Sequence, residues 1–238
     1  MTTPSTTAIR PNGVHHLAIS TADIKTQIEF FTQVLGARLV ALYWMHGVDA
    51  YHGFVELGDS CSVAFVEMKA NHEIDPVPGV THSGTPGDPS APGTMQHVAF
   101  NADTFDDLLR LRDRIRDHGV TVFGPVDHGM CHSIYFAGPE GLTLEVASSP
   151  AAIPADNWID PEVVALAGIS ADELARYRHP EADPDRTPGS VAQPALTPGV
   201  PALGYPPEIL AVMASMSDAD VAASMNYPDP PVPHPEIA

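Results

Sequence analysis

The sequence predicts an α+β protein built from paired βαβββ motifs, with a Pro-rich C-terminal extension carrying short helices. Three observations predict it. "HHLAIS" at 15–20 reappears in kind as "QHVAFN" at 96–101, with a histidine at the same place in each. Each copy is followed by apolar residues at helical spacing and then by three runs rich in β-branched and aromatic residues. Beyond Pro150 the composition changes, and most of the 25 prolines lie there.

In chain order, Val14 to Ile19 reads as a strand. Ile24, Ile28, Phe31 and Leu35 then mark a helix over about 22–35 that stops at Gly36. "RLVALYW", "AYHGFVELG" and "SCSVAFVEM" read as three strands separated by Gly-containing turns. The pattern restarts at Met95. "QHVAFNA" is a strand, and Phe105, Leu108, Leu111 and Ile115 mark a helix ending at Gly119. "VTVFGPV", "HSIYFAG" and "GLTLEVA" follow as strands. Two copies imply an internal duplication, which places equivalent residues about a pseudo-twofold axis.

The resulting organisation is an N-terminal arm (1–11), a first motif (12–70), a Pro/Gly-rich connector (71–93), a second motif (94–148) and the extension (149–238). The connector is a lid or a linker. In the extension, "DPEVVALAG", "SADELARYR" and "PPEILAVMASMSDADVAASM" are short helical patches, with Ser170 and Glu173 spaced as a capping box. Their apolar faces are too small for a second core. The expected form is an arm on the catalytic domain or a partner subunit, disordered toward "PDPPVPHPEIA".

Eleven basic against 30 acidic residues give a formal charge of −19, which repels phosphate backbones and anionic headgroups. Nucleic acid and membrane surfaces are therefore not expected partners. The first 25 residues lack a basic start with an apolar run, and no long apolar stretch occurs, so a cytoplasmic protein is expected. Cys61 and Cys131 fit a reducing compartment.

Aligning the copies places His16 on His97 and His15 on Gln96. Strand alternation puts His16, Ala18 and Ser20 on one face, and likewise His97, Ala99 and Asn101. Comparing the last strands, with one residue of slack after the turn, places Glu145 opposite Ala64. The symmetric site thus has four positions, filled by His16, Ala64, His97 and Glu145. Two imidazoles and a carboxylate suit iron(II), manganese(II) or another divalent ion, and three ligands leave positions open for substrate. The plain alternative is that a histidine on a strand is an ordinary core or surface residue. Against it stand the match within a duplicated motif and a glutamate on the otherwise apolar "LTLEVA", where an unpaired carboxylate is costly. Glu67 lies three residues after Ala64, so it points to the opposite face and is expected to be solvated surface.

The duplicated βαβββ with this His, His, Glu set resembles the vicinal oxygen chelate superfamily, which has the glyoxalase fold, over about residues 12–148. That resemblance implies a divalent metal held by both motifs, with the first motif's ligand sometimes supplied by a partner subunit, hence a homodimer or higher homo-oligomer. "VDHGMCHSIYFAGPEGLTLE" is similar to the signature of the type I extradiol ring-cleavage dioxygenases, with His128, Ile134, Tyr135, Pro139, Gly141 and Glu145 in place. The resemblance implies that Tyr135 hydrogen-bonds a catecholate oxygen and that His128 acts beside the substrate as acid/base or donor. An imidazole and a phenol are independently suited to moving a diol's protons. Two departures stand out. Gly138 replaces an acidic, amide or small polar residue, and Ser60, Cys61 and Ser62 stand where a second-sphere histidine is usual. His52 is the residue expected to project into the same pocket; His132, of opposite parity to Tyr135, is expected at the surface. Tyr43, Trp44 and Tyr51 are candidates for lining the ring pocket.

The expected activity is iron(II)-dependent extradiol cleavage of a catechol-like aromatic diol with dioxygen. An isomerase, epimerase or lyase of the same superfamily is the first rival, and Ala64 argues against it because those branches use a fourth ligand there. A small-molecule binding module without metal is the second. Bound metal separates the last from the others, and oxygen dependence separates the first two.

Overall fold

A computed structural model describes residues 8–232. The described residues fall into two compact units, one of Pro11–Leu174 and one of residues 8–10 with 175–232.

The larger unit holds both βαβββ motifs. In the first, β1 (His16–Thr21) leads into α1 (Ile24–Glu29), followed by β2 (Arg38–Trp44), β3 (Ala50–Gly58) and β4 (Cys61–Met68). In the second, β5 (Val98–Asn101) leads into α2 (Phe105–Asp117), β6 (Val122–Asp127), β7 (His132–Ala137) and β8 (Thr143–Ser148). The strand orders, β1-β4-β3-β2 and β5-β8-β7-β6, are the same topology twice. In each sheet the first and last strands of the motif pair in parallel, and the remaining pairs are antiparallel.

Alternation along the strands separates two faces. Leu17, Ile19, Val63 and Phe65 of the first sheet and Leu144, Val146, Ile134 and Phe136 of the second join one hydrophobic core with Phe31, Leu108 and Ile115 of the helical segments. Phe31 touches Phe65 and, across the motifs, Phe100, at ring-centroid distances of 5.1 and 6.0 Å. Phe31 and Phe65 are fully buried and Phe100 partly so, and each fully buried phenylalanine contributes about 1.5–3 kcal/mol.

The first helix is shorter than its apolar spacing suggests. After Glu29 the chain continues as one π-helical turn, Phe30–Val34, which still buries Phe31 and Val34. Its end is satisfied from the other motif: Arg114 of α2 donates to the carbonyls of Val34 and Gln33 at 3.0 and 2.7 Å. The start of α1 is held by carboxylates. Asp23 accepts from the Thr26 amide at 2.9 Å, and Glu67 of β4 accepts from the Ile24 amide at 2.8 Å. Glu67 does lie on the face opposite Ala64, yet its side chain is only 12 % exposed, because it closes the helix end rather than facing water. Glu140, of the second motif's Pro-Glu-Gly turn, accepts from the Ala22 amide and from the buried Gln27 side chain, each at 2.8 Å.

The connector is tied down. Ser83 is fully buried; its hydroxyl donates to the Gln96 carbonyl, and its own carbonyl accepts from the Thr143 hydroxyl at 3.0 Å.

Beyond Ser148 no described residue is buried. The extension forms α3 (Ala155–Trp158), α4 (Pro161–Leu166), α5 (Ala171–Arg178), α6 (Pro207–Ser215) and α7 (Asp218–Met225). The capping box at Ser170 is formed: its hydroxyl accepts from the Glu173 amide, and the Glu173 carboxylate accepts from the Ser170 amide at 2.8 Å. In the smaller unit the Ile9 amide donates to Asp183. Of the stretch 228–238, where disorder is expected, residues 233–238 lie outside the described residues, as do residues 1–7 of the arm. No helix among the described residues is long and apolar enough to cross a membrane. Cys61 and Cys131 are free thiols.

Candidate metal centre

The register of the two sheets settles which residues are equivalent. Ala18 pairs with Ala64 in the first sheet and Ala99 with Glu145 in the second, so Ala64 and Glu145 occupy matching places on the face that carries His16 or His97. Tyr135 pairs with Glu145 from the other side and shares that face.

In the second sheet these side chains meet. His97 Nε2 lies 2.9 Å from Glu145 Oε2, the carboxylate being buried and the imidazole partly open. Removing a carboxylate from water costs several kcal/mol unless it is paired, and His97 is its partner. The Gln96 side-chain oxygen meets His97 Nδ1, which assigns the ring proton to Nδ1. Nε2 and Oε2 are then two lone-pair bearers facing each other, an arrangement that calls for a proton or a metal ion shared between them. One imidazole nitrogen and one carboxylate oxygen suit iron(II), manganese(II) and similar divalent ions. His97 and Glu145 therefore fit two places of a metal centre.

Beside them, His128 Nε2 lies 2.9 Å from the Tyr135 hydroxyl. Burial, and then the charge of Glu145, push the Tyr135 phenol above its usual range, with a Ser133 hydrogen bond acting in the opposite sense. The phenol thus stays protonated at neutral pH and able to donate. The signature's proline and glycine have structural work of their own. Pro139–Gly141 is a single 3₁₀ turn, and Gly141, at φ +76°, lies so close to His82 that an added Cβ would come within 2.7 Å of its Nε2.

His16 stands in the other sheet, 5.4 Å from the Phe54 ring and with its Nδ1 2.9 Å from that of His15. Among the described residues no three His, Cys, Asp or Glu side chains gather to hold an ion, so His16 does not join His97 and Glu145 within one chain. His52 is on the His16 face, against Phe54 at 4.4 Å and with Nδ1 3.5 Å from the Tyr43 hydroxyl. Burial, then the charge of His16, lowers its pKa. Trp44, by contrast, is adjacent to Tyr43 in the strand, so alternation sends it to the opposite face. There it packs on Tyr51 at 4.8 Å, away from His16. His132 is on the face opposite Tyr135 and packs on Phe105 at 4.7 Å.

Two residues escaped the sequence, one beside His97 and one against the glycine that follows His128. Gln96 was visible only as the counterpart of His15, and an amide there has no motif to mark it. Trp158 of α3 lies over Gly129, where an added Cβ would be 3.0 Å from the indole ring. Only a bare glycine beside His128 permits that approach, and nothing local connects residues this far apart.

A family model described as the Glyoxalase/Bleomycin resistance protein/Dioxygenase superfamily matches residues 13–146. The chain belongs to that superfamily. Among curated superfamily members it is similar to biphenyl-2,3-diol 1,2-dioxygenase 2 of Rhodococcus globerulus, 27 % identical over 131 residues that span 55 % of this chain and 60 % of that one. It is also similar to biphenyl-2,3-diol 1,2-dioxygenase 3 of the same organism, 24 % identical over 147 residues, spanning 62 % and 65 %. The chain thus covers less than two thirds of either relative. A solved glyoxylase/bleomycin resistance protein/dioxygenase domain from Frankia sp. EAN1pec is 14 % identical, with a TM-score of 0.46, over 59 % of this chain and 99 % of that one.

Proposed function

We propose that the chain is an iron(II)-dependent extradiol-type dioxygenase that opens the ring of a catechol-like aromatic. The observation that carries this reading is the four-residue group on one face of the second sheet, His97 against Glu145 and His128 against Tyr135, each pair at 2.9 Å. Similarity to two biphenyl-2,3-diol dioxygenases supports the substrate class.

In this reading His97 and Glu145 hold the metal, and His16 of a second copy completes the set, making the protein a homodimer or higher homo-oligomer. Manganese(II) or another divalent ion is the alternative occupant. Iron(II), when bound, supplies the one-electron chemistry that lets dioxygen react with the ring. The chain's own residues handle protons and orientation. The negative charge of Glu145 favours a cation at the face and disfavours a second anion. The Tyr135 hydroxyl, kept protonated, donates to one oxygen of the bound diol and fixes its tilt. His128 accepts the proton that this diol gives up and returns it at the end of the cycle; positioned transfer of this kind contributes roughly 10²–10⁴-fold. Ala99 and Ala147, flanking Glu145 on the same face, leave room for a flat ring.

The test is anaerobic loading with iron(II), then oxygen-electrode and absorbance measurements with a panel of catechols that includes biphenyl-2,3-diol. Oxygen uptake matched to a yellow ring-fission product is expected. Metal uptake without oxygen consumption across the panel would favour an isomerase or lyase, and no metal uptake a binding module.

A further inference from the structure

We propose that Gln96 is a positioning residue through which the Pro/Gly-rich connector fixes the proton of His97 and so the donor strength of the metal centre. The inference rests on the reading of His97 as a ligand, and it adds a segment that the motif does not contain.

The Gln96 amide NH₂ shares its two hydrogens among the backbone carbonyls of Thr85, Pro86 and Asp88, at 3.3, 2.8 and 3.3 Å. A carbonyl only accepts, so three of them on one side assign the amide nitrogen to that side and turn the amide oxygen the other way. That oxygen meets His97 Nδ1. Because it too only accepts, Nδ1 must carry the hydrogen, and the neutral ring presents a bare Nε2 toward Glu145 Oε2 at 2.9 Å. The connector thereby selects the tautomer whose free lone pair points into the site.

The same segment grips both strands that bear the donors. Buried Ser83 donates to the Gln96 carbonyl, next to His97, and accepts from Thr143, two residues before Glu145. The first motif has no such clamp. His15 replaces Gln96 there, and two Nδ1 atoms face each other at 2.9 Å, an arrangement either ring can satisfy as donor. Partners that orient a metal-bound histidine are worth roughly 10–100-fold in metal affinity, which makes a loop with no donor of its own a determinant of the centre.

The experiment compares wild type, Gln96→Met and Gln96→Glu as full-length, metal-free, ¹⁵N-histidine-labelled protein, followed by titration with zinc(II) and, anaerobically, iron(II). In wild type, Nδ1 of His97 is expected to carry a hydrogen in both the metal-free and the zinc-loaded protein, with Nε2 facing Glu145. Gln96→Met, similar in shape but without acceptor or donors, is expected to give a tautomer mixture and metal affinity lower by about 10–100-fold. Gln96→Glu keeps the acceptor and loses the donors, so the tautomer is expected to persist while amide exchange at 85–88 quickens. An unchanged tautomer and affinity in Gln96→Met would overturn the proposal. Should that variant fail to fold, unchanged exchange at 85–88 in Gln96→Glu overturns it instead. A wild-type chain that binds neither metal yet holds the single tautomer would sink the dioxygenase reading and uphold the clamp.

Discussion

The two βαβββ motifs share strand order, parallel pairing and one histidine each, yet only the second assembles a polar group. Where it has Glu145, the first has Ala64. Opposite those positions on the neighbouring strand stand Tyr135 in one and Phe54 in the other. His97 finds a buried carboxylate, whereas His16 finds Phe54 and the ring of His15. Duplication preserved the backbone that aims a side chain at this face, and divergence decided what is aimed. On the first motif's face Phe54 stands between the imidazoles of His16 and His52, with no carboxylate in the place of Glu145. The second brings His97 against Glu145 and His128 against Tyr135.

If each centre takes His16 from one copy and His97 with Glu145 from another, the comparison can be broken most sharply by complementation. His16→Ala and Glu145→Ala homodimers should each lack oxygen uptake. Co-refolded at equal amounts they should recover about a quarter of wild-type activity, because random pairing leaves half the dimers mixed and each mixed dimer has one intact site of two. Recovery of nothing would place His16 outside the centre.

Next in size is the proton-handling pair. His128→Ala and Tyr135→Phe should each lower kcat/KM by about 10²-fold or more, with bound iron unchanged by metal analysis. Tyr43→Phe, the nearest aromatic hydroxyl in the first motif, should show no comparable loss. An equal loss there would mean that both motifs serve the substrate.

Much of this asymmetry was legible in the sequence. The run "RLVALYW" is β2 residue for residue, and Ala64 and Glu145, equivalent when the last strands are compared, each pair with an alanine of the first strand. Periodicity reports what the chain does locally. It could not report that Glu67 and Glu140 close the start of α1, since both arrive from distant strands and turns. Nor could it show that a segment rich in Pro and Gly is ordered, because that order comes from Ser83 and Gln96 bonding across the motif. The apolar spacing also ran a helix smoothly to Leu35, where the backbone instead makes a π turn capped by Arg114.

Glu140 offers a smaller effect that tests how the motifs lean on each other. Replacing it by Ala removes two bonds to a charged acceptor and strands the buried Gln27 amide, so a loss of about 2–3 kcal/mol is expected in urea unfolding. Glu140 also sits at φ 55°, a conformation that favours glycine. Glu140→Gly should therefore be less harmful than Glu140→Ala, since it loses the same bonds but relaxes the backbone. Equal losses would show that the backbone conformation contributes little.

The smallest expected effect lies in how the two helices begin. The start of α1 is held by carboxylates, Asp23 among them, while α2 begins at Thr104, whose neutral hydroxyl accepts from the Asp107 amide at 3.1 Å. Hydrogen bonds from the Thr26 hydroxyl, then its amide, hold the Asp23 carboxyl below its usual 3.8. A depressed folded value means that the unfolded chain takes up protons first. The contribution of Asp23 is therefore complete above the usual value and disappears as pH falls through the lower folded one. Amide exchange followed from about pH 5 to about pH 3 should open α1 before α2, after correction for intrinsic rates. Asp23→Ser, which keeps a capping oxygen without a titrating charge, should narrow the gap between the two helices. A gap that is absent in wild type, or untouched by the substitution, would mean that buried Phe31 and the Arg114 bonds, rather than the charged cap, decide when the first motif lets go.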